Sequence, residues 1–167
     1  MALEVREART PEEVAAAGRV TLAANAEFAP ADPGDPFVPT WKRYLASMAD
    51  AAGRAADGGM LLVAVEDGRV VGTVTLYLAD GSEQWRPGDA MFRFLAVAPA
   101  ARGRGVGRAL FEACLARARA AGKRRMALHT TEWMTARAMY ERAGFAREPE
   151  GDARLPGLTI LAYAADL

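Results

Sequence analysis

The stretch Phe94–Gly122, FLAVAPAARGRGVGRALFEACLARARAAG, decides the reading of the whole chain. It opens on an apolar run, Phe94-Leu95-Ala96-Val97, which predicts a buried strand. Pro99 ends that strand, because proline has no N–H to give a ladder. Three glycines and two arginines then crowd into Arg102-Gly103-Arg104-Gly105-Val106-Gly107. After them Val106, Leu110, Cys114 and Ala118 recur every fourth residue, with Phe111 and Leu115 beside them and Arg108, Glu112 and Arg119 opposite. That spacing predicts an amphipathic helix. The segment reads strand, glycine-rich turn, helix.

Such a turn suits anion capture. The first N–H groups of a helix lack intrahelical partners, and the aligned peptide dipoles leave partial positive charge there. Glycine lets a ligand approach the backbone, and arginine adds charge-assisted hydrogen bonds to phosphate. The competing reading is a tight connection with solvated arginines, but Arg102, Arg104 and Arg108 all surround the glycines and favour a phosphate site. A dinucleotide fingerprint started at Gly103 finds Arg108 where its third glycine belongs, and a Walker A loop fails at the same place.

Outward from this core, Leu3–Ala8 alternates as a strand, and Thr10-Pro11 with Glu12 and Glu13 starts a helix running to about Phe28. Residues 30–39, with four prolines, predict a loop. A second helix is expected from about Thr40, ending between Gly53 and Gly59. Met60–Glu66 and Val70–Leu78 form a hairpin about Asp67-Gly68, and Ala79–Asp89 is a long loop. Ala90–Ala98 is the strand feeding the glycines. Arg125–Thr130 is a strand, Met134–Arg142 a short helix stopped at Gly144, Phe145 the possible start of a strand, and Leu158–Ala164 the last strand. The whole predicts one domain, residues 1–167, of α/β class, with a central mixed sheet flanked by helices.

Within this order, Arg102, Gly105 and Gly107 follow a strand ending Leu95-Ala96-Val97-Ala98-Pro99, and Ala136–Phe145 reads ARAMYERAGF. Both motifs resemble those of the GNAT acetyltransferase superfamily, the first its R-x-x-G-x-G pyrophosphate loop, the second its A-x-x-x-Y-x-x-x-G-F pattern. The resemblance covers most of the chain and is strongest from Leu95 to Phe145. It implies a GNAT-like acyl-CoA N-acyltransferase fold and transfer of acetyl from acetyl-CoA to an amine within a ternary complex. It further implies that Leu95, Ala96 and Val97 offer a strand edge to pantetheine, splayed from Leu128–Thr130, with an N–H near Val97 polarising the thioester carbonyl. Arg102, Gly103, Arg104, Gly105, Val106, Gly107 and Arg108 would hold the pyrophosphate, Ala136 would touch the cofactor, and Tyr140 would stabilise or protonate the leaving thiolate. By spacing alone Tyr140 is a core aromatic at i+4 from Ala136.

A general base has several candidates. The glutamate many relatives carry before the glycine loop falls near Met91 here, which takes no proton. Glu83, Asp89, Glu132 and His129 remain, as does water. His129, the single histidine, reads more readily as a satisfied core residue than as a base. Trp133 stands where the family often places a CoA-contacting asparagine, and would wall the pocket instead. Trp41 and Trp85 are candidates for an acceptor pocket or for ordinary packing. Asp32 and Asp35 would attract a cationic amine or stand solvated, and Cys114 packs.

Composition sets the outer limits. At 51% apolar and 25% charged the chain is an ordinary globular sequence, and its formal net charge of zero argues against a dedicated nucleic-acid binder. Eight basic residues between Arg102 and Arg125 face one acid, Glu112, which suits a small polyanion. An RNA-contacting stripe is the weaker reading of that run, and a non-catalytic acyl-CoA sensor is a second alternative, favoured by Met91. One cysteine forms no internal disulfide, no Cys/His cluster suggests a metal, and no apolar run spans a bilayer. The expected setting is cytoplasmic, the expected partners acetyl-CoA and an amine acceptor, without nucleic acid or membrane, and homodimerisation is open.

Overall fold

The structure, a computed structural model, describes residues 2–81 and 84–167. Eight strands form one mixed sheet in the order β1-β2-β3-β4-β5-β8-β6, with β7 paired to β8. They are β1 (Glu4–Glu7), β2 (Met60–Glu66), β3 (Arg69–Tyr77), β4 (Ala90–Val97), β5 (Arg125–Thr130), β6 (Ala146–Arg147), β7 (Ala153–Leu155) and β8 (Leu158–Asp166). The helices are α1 (Pro11–Asn25), α2 (Val38–Ala49), α3 (Ala51–Ala56), α4 (Val106–Ala120) and α5 (Arg137–Arg142).

Strand alternation sends one set of side chains to each face. Leu62, Val74, Phe92 and Leu128 share a core with Leu110, Phe111 and Cys114 of α4. Leu61, Val63 and Val65 face the other way and pack on Ala17 of α1 and Ala51 of α3. Thr10 caps α1, its hydroxyl accepting from the Glu13 amide at 3.2 Å, with Pro11 in the first turn as its spacing predicts.

Several boundaries depart from the sequence reading. The first helix stops at Asn25, and residues 26–28 continue as a 3-10 turn. The second begins at Val38, taking Pro39 into its first turn, where the missing N–H has no helical partner to lose. Asp50 then divides it, because its carboxylate accepts from the Gly53 amide at 2.9 Å and starts α3 anew. The helix bearing Tyr140 begins at Arg137 rather than Met134. Strand β7, which no alternating pattern signals, forms as the first arm of a hairpin on Leu158–Ile160.

Strand β4 decides the architecture of the site. Thr73 pairs with Ala96 and Thr75 with Arg93, so two residues, Phe94 and Leu95, stand opposite one. Phe94 takes φ +54°, an uncommon conformation for a large side chain. This bulge bends β4 away from its parallel neighbour. The pairing of β4 with β5 runs only from Ala90↔Met126 to Phe92↔Leu128, whereas β5 stays on β8 through Thr130↔Leu161. The sheet opens as a V beyond Phe92.

The segment before β4 is pinned from the far side of the sheet. Arg125 bonds both carboxylate oxygens of Asp89, at 3.1 and 3.0 Å, and both of Glu148, at 3.0 and 2.6 Å. The Trp85 indole donates to Glu148 at 2.7 Å. Gly151 lies flat against that indole, so close that a Cβ there would overlap the ring. The Arg125 guanidinium is the main cause holding the Glu148 carboxyl below its usual range. A lowered carboxylate pKa adds stability above the unfolded value of about 4.3, lost as pH falls through the folded value. Glu148→Gln is therefore expected to cost about 1–3 kcal/mol at pH 7. Melting curves at pH 7 and pH 3.5 should show a smaller acid-induced drop in the variant. Identical drops would remove Glu148 from the acid sensitivity.

Candidate functional site

The open V continues into a groove of about 560 Å³ between the end of α1, the start of α4 and the residues before α5. Leu95, Ala96, Val97, Arg102, Gly103, Gly105, Val106, Gly107, Arg108 and Ala136 all line it, so ten predicted binding residues converge on one surface. Arg104 does not line it, since its guanidinium turns to Glu66 at 2.9 Å. Ala24, Glu27, Phe28, Ala101, Met134, Thr135 and Met139 complete the walls. Sequence reasoning named none of these seven. The only signal was their position, at the end of α1 and around the second motif.

The groove's polar end is the N-terminus of α4. Gly105 precedes the helix with φ +82°, a left-handed conformation that explains glycine there. The first helical bond runs from Ala109 to Gly105, so the amides of Val106, Gly107 and Arg108 have no partner within the helix. Beside them Arg102 pairs with Glu27 at 2.7 Å and donates to the Ala24 carbonyl at 3.0 Å, which ties α1 to the turn. Arg108 pairs with Glu112, one turn on, at 2.8 Å.

The strand wall presents backbone polarity to the groove. Ala98 donates to Val71 at 2.8 Å, so its N–H faces β3. Alternation then turns the N–H and C=O of Val97 away from β3, into the V that β5 has left. A donor and an acceptor stand there on an apolar wall.

At Leu95 and Met134 the groove meets a small cavity of about 30 Å³, which both residues also line. That volume is of the order of one or two waters. Tyr140, His129, Thr131, Arg93, Phe94 and Tyr44 lie around it. Tyr140 is 3% exposed, and its ring packs among Phe92, Phe111 and Phe145 with centroids 5.4–6.4 Å away. It is at once core aromatic and cavity wall. Burial, with a smaller contribution from Cys114, pushes its hydroxyl well above the ordinary phenol range, opposite to the tuning a free proton donor needs.

The candidate bases fall in different places. Met91 is fully buried among Ala127, Ala164 and Trp85. Asp89 is consumed by Arg125, Glu132 is exposed, and Glu83 lies outside the described residues. His129 Nε2 lies 2.7 Å from the Gly151 carbonyl, and its ring stacks on Trp85 with centroids 5.0 Å apart.

The tryptophans are placed as follows. Trp41 is 3% exposed among Phe37, Tyr44 and Trp133, while Trp133 also meets Phe28 at 5.9 Å. These rings back the cavity through Tyr44, which lines it and contacts Phe94. Trp85 serves as the pin described above. Asp32 and Asp35 are turn-formers, accepting from the amides of Gly34 and Phe37 at 2.9 and 2.7 Å. Cys114 is fully buried in the α4 stripe, and burial pushes its thiol up to about 12.

Among the described residues, no group of three or more His, Cys, Asp or Glu could hold a metal ion. No helix among them is long and apolar enough to cross a membrane.

The sequence profile of the acetyltransferase (GNAT) family matches residues 24–145. No protein of curated function matches the sequence. Among solved structures, the PaiA N-acetyltransferase of Thermoplasma acidophilum, in complex with coenzyme A, superposes with TM-score 0.73 at 15% identity, over 100% of both chains. A GNAT acetyltransferase of Staphylococcus aureus Mu50 gives TM-score 0.71 at 17% identity, over 99% of each chain. An acetyltransferase of Streptococcus agalactiae 2603 gives 0.70 at 22% identity, over 99% of this chain and 98% of its own. These likenesses show a shared fold.

Proposed function

The chain belongs to the acetyltransferase (GNAT) family, and we propose that it moves an acetyl group from acetyl-CoA to a primary amine of a small molecule or peptide, by direct attack in a ternary complex. One observation carries the reading. A single groove runs from the unpartnered amides of α4, along the outward-facing Val97 backbone, to the cavity walled by Tyr140. Residues 1–167 act as one such domain, in the cytoplasm.

Each part of the groove has a physical task. The amide N–H groups of Val106, Gly107 and Arg108 donate to the pyrophosphate oxygens, with Arg102 and Arg108 screening its charge. The Val97 carbonyl and N–H pair with the amides of pantetheine as an added strand would. At the thioester end a further backbone N–H near Val97 polarises the carbonyl and holds the oxyanion of the tetrahedral stage. Tyr140 donates a hydrogen bond to the sulfur as it becomes thiolate. The PaiA relative's bound coenzyme A supports acyl-CoA as the donor.

Saturating acetyl-CoA, at about a hundredfold over its dissociation constant, is expected to add about 2.7 kcal/mol, or roughly 5–11 °C in melting temperature. Turnover is then followed as CoA release with 2-phenylethylamine, spermidine, L-lysine and a lysine-bearing peptide. No thermal rise at millimolar acetyl-CoA would defeat the proposal. A rise without turnover on any amine would leave an acyl-CoA sensor as the better reading.

A further inference from the structure

We propose that His129 is the general base of the acetyl transfer, its Nδ1 taking the proton of the attacking amine. The assignment rests on the acetyl-transfer reading above. A carbonyl oxygen only accepts, so the contact of 2.7 Å to Gly151 requires the hydrogen on Nε2. In the neutral ring that leaves the basic lone pair on Nδ1. The tautomer is held by structure, as an orienting partner holds a catalytic imidazole.

The ring's plane is fixed as well. Trp85 stacks on it at 25°, Glu148 accepts from the Trp85 indole at 2.7 Å, and Arg125 clamps Glu148. Trp85, held by Glu148 and Arg125, thus fixes the imidazole, and none of the three lines the groove.

His129 lines the same cavity as Tyr140, where the groove ends. Thr131 lines it too, 2% exposed, with a buried hydroxyl oxygen that has no hydrogen-bond partner among the described residues. A polar hydrogen entering the cavity finds that oxygen. Among the described residues, the titratable and charged groups that line the cavity with His129 are Arg93 from β4, Tyr44 from α2 and Tyr140 from α5. Behind it, through Trp85, stand Glu148, Arg125 and Arg86.

The step balances. The amine lone pair forms the C–N bond, the C–S bond breaks, and the electron pair leaves with the thiolate. The surplus N–H proton passes to Nδ1, and the imidazolium then returns it to the thiolate. An imidazolium ordinarily near 6.5 gives its proton downhill to a thiolate of about 8.5, whereas a buried tyrosine gives one uphill. The products are an amide and the CoA thiol, with His129 neutral again.

The test is the pH profile of kcat for wild type and His129→Gln, using whichever panel amine is turned over fastest. Glutamine's amide still donates to Gly151 but does not titrate, so the local fold is kept. Wild type should lose rate as pH falls through an acid limb between about pH 5 and 8. The variant should lack that limb and run at least ~100-fold slower at pH 7, with its acetyl-CoA thermal rise unchanged. Retention of the limb, or a rate within about threefold of wild type, would overturn the assignment. Wild type that neither turns over nor responds thermally would overturn the transfer reading itself, and the base with it.

Discussion

Gly107→Glu is expected to weaken acetyl-CoA binding at least ~100-fold, about 2.7 kcal/mol, without lowering the stability of the free protein. Gly107 is the second residue of α4 and lines the groove. A Cβ there would lie 3.5 Å from Val97 Cγ2 and 3.7 Å from Leu95 Cδ2, ordinary contacts that demand no backbone shift. Glutamate is a better helix former than glycine by several tenths of a kcal/mol, and an acid near a helix N-terminus adds a similar amount. The fold is therefore kept or improved. The same carboxylate would stand over the free amides of the first turn, where it competes with pyrophosphate for donors and repels its charge. Calorimetric titration with acetyl-CoA, alongside melting of the unliganded variant, separates the two effects. A dissociation constant within about threefold of wild type would mean that phosphate binds elsewhere.

The second large effect concerns turnover. Tyr140→Phe is expected to lower kcat by roughly 10- to 150-fold, while acetyl-CoA affinity stays near wild type. The range is that of a hydrogen bond to a charged group, about 1.5–3 kcal/mol, applied to a thiolate that exists only as the C–S bond breaks. The ring itself sits among Phe92, Phe111 and Phe145, and phenylalanine preserves that packing. Because burial raises the Tyr140 hydroxyl, the group works as a hydrogen-bond donor over the whole physiological pH range, and its loss should leave the shape of the pH profile unchanged. Unaltered kcat at saturating acetyl-CoA would remove Tyr140 from the chemistry.

The placement of both residues was legible in the sequence, for a shared reason. The pattern from Leu95 to Gly107 and that from Ala136 to Phe145 are local: each is a short run whose spacing encodes strand, turn and helix within a few residues. The class of fold followed from the same locality, because apolar periodicities of two and of nearly four mark elements one at a time. What the sequence left unread was long-range. The partner of Arg104 is Glu66, 38 positions away, and nothing in an arginine among glycines says where it will turn. Trp85 joins His129 and Glu148 across more than forty residues of chain, so its role as a pin has no local signature. The bulge at Phe94 was hidden differently. An aromatic residue in an apolar run reads as regular strand, and its positive φ emerges only from the register with β3. The proline-rich segment was misjudged at its end because Pro39 suits a first helical turn as well as a loop.

The V in the sheet also sets how the two halves of the molecule breathe. Only three residue pairs hold β4 to β5, between flanking strands that pair over longer runs. A seam that short is the natural place for local opening well below the free energy of global unfolding. Amide hydrogens along it should exchange sooner than those of β2 and β3, whose pairing runs from Met60↔Leu76 to Glu66↔Arg69. A ligand lying against Val97 as a further strand would close the ladder and slow that exchange, so the cofactor becomes part of the sheet's own cohesion. The acceptor would then meet a stiffer protein than the one that first met the acyl donor, and an ordered sequence of binding follows from the sheet's missing pairs.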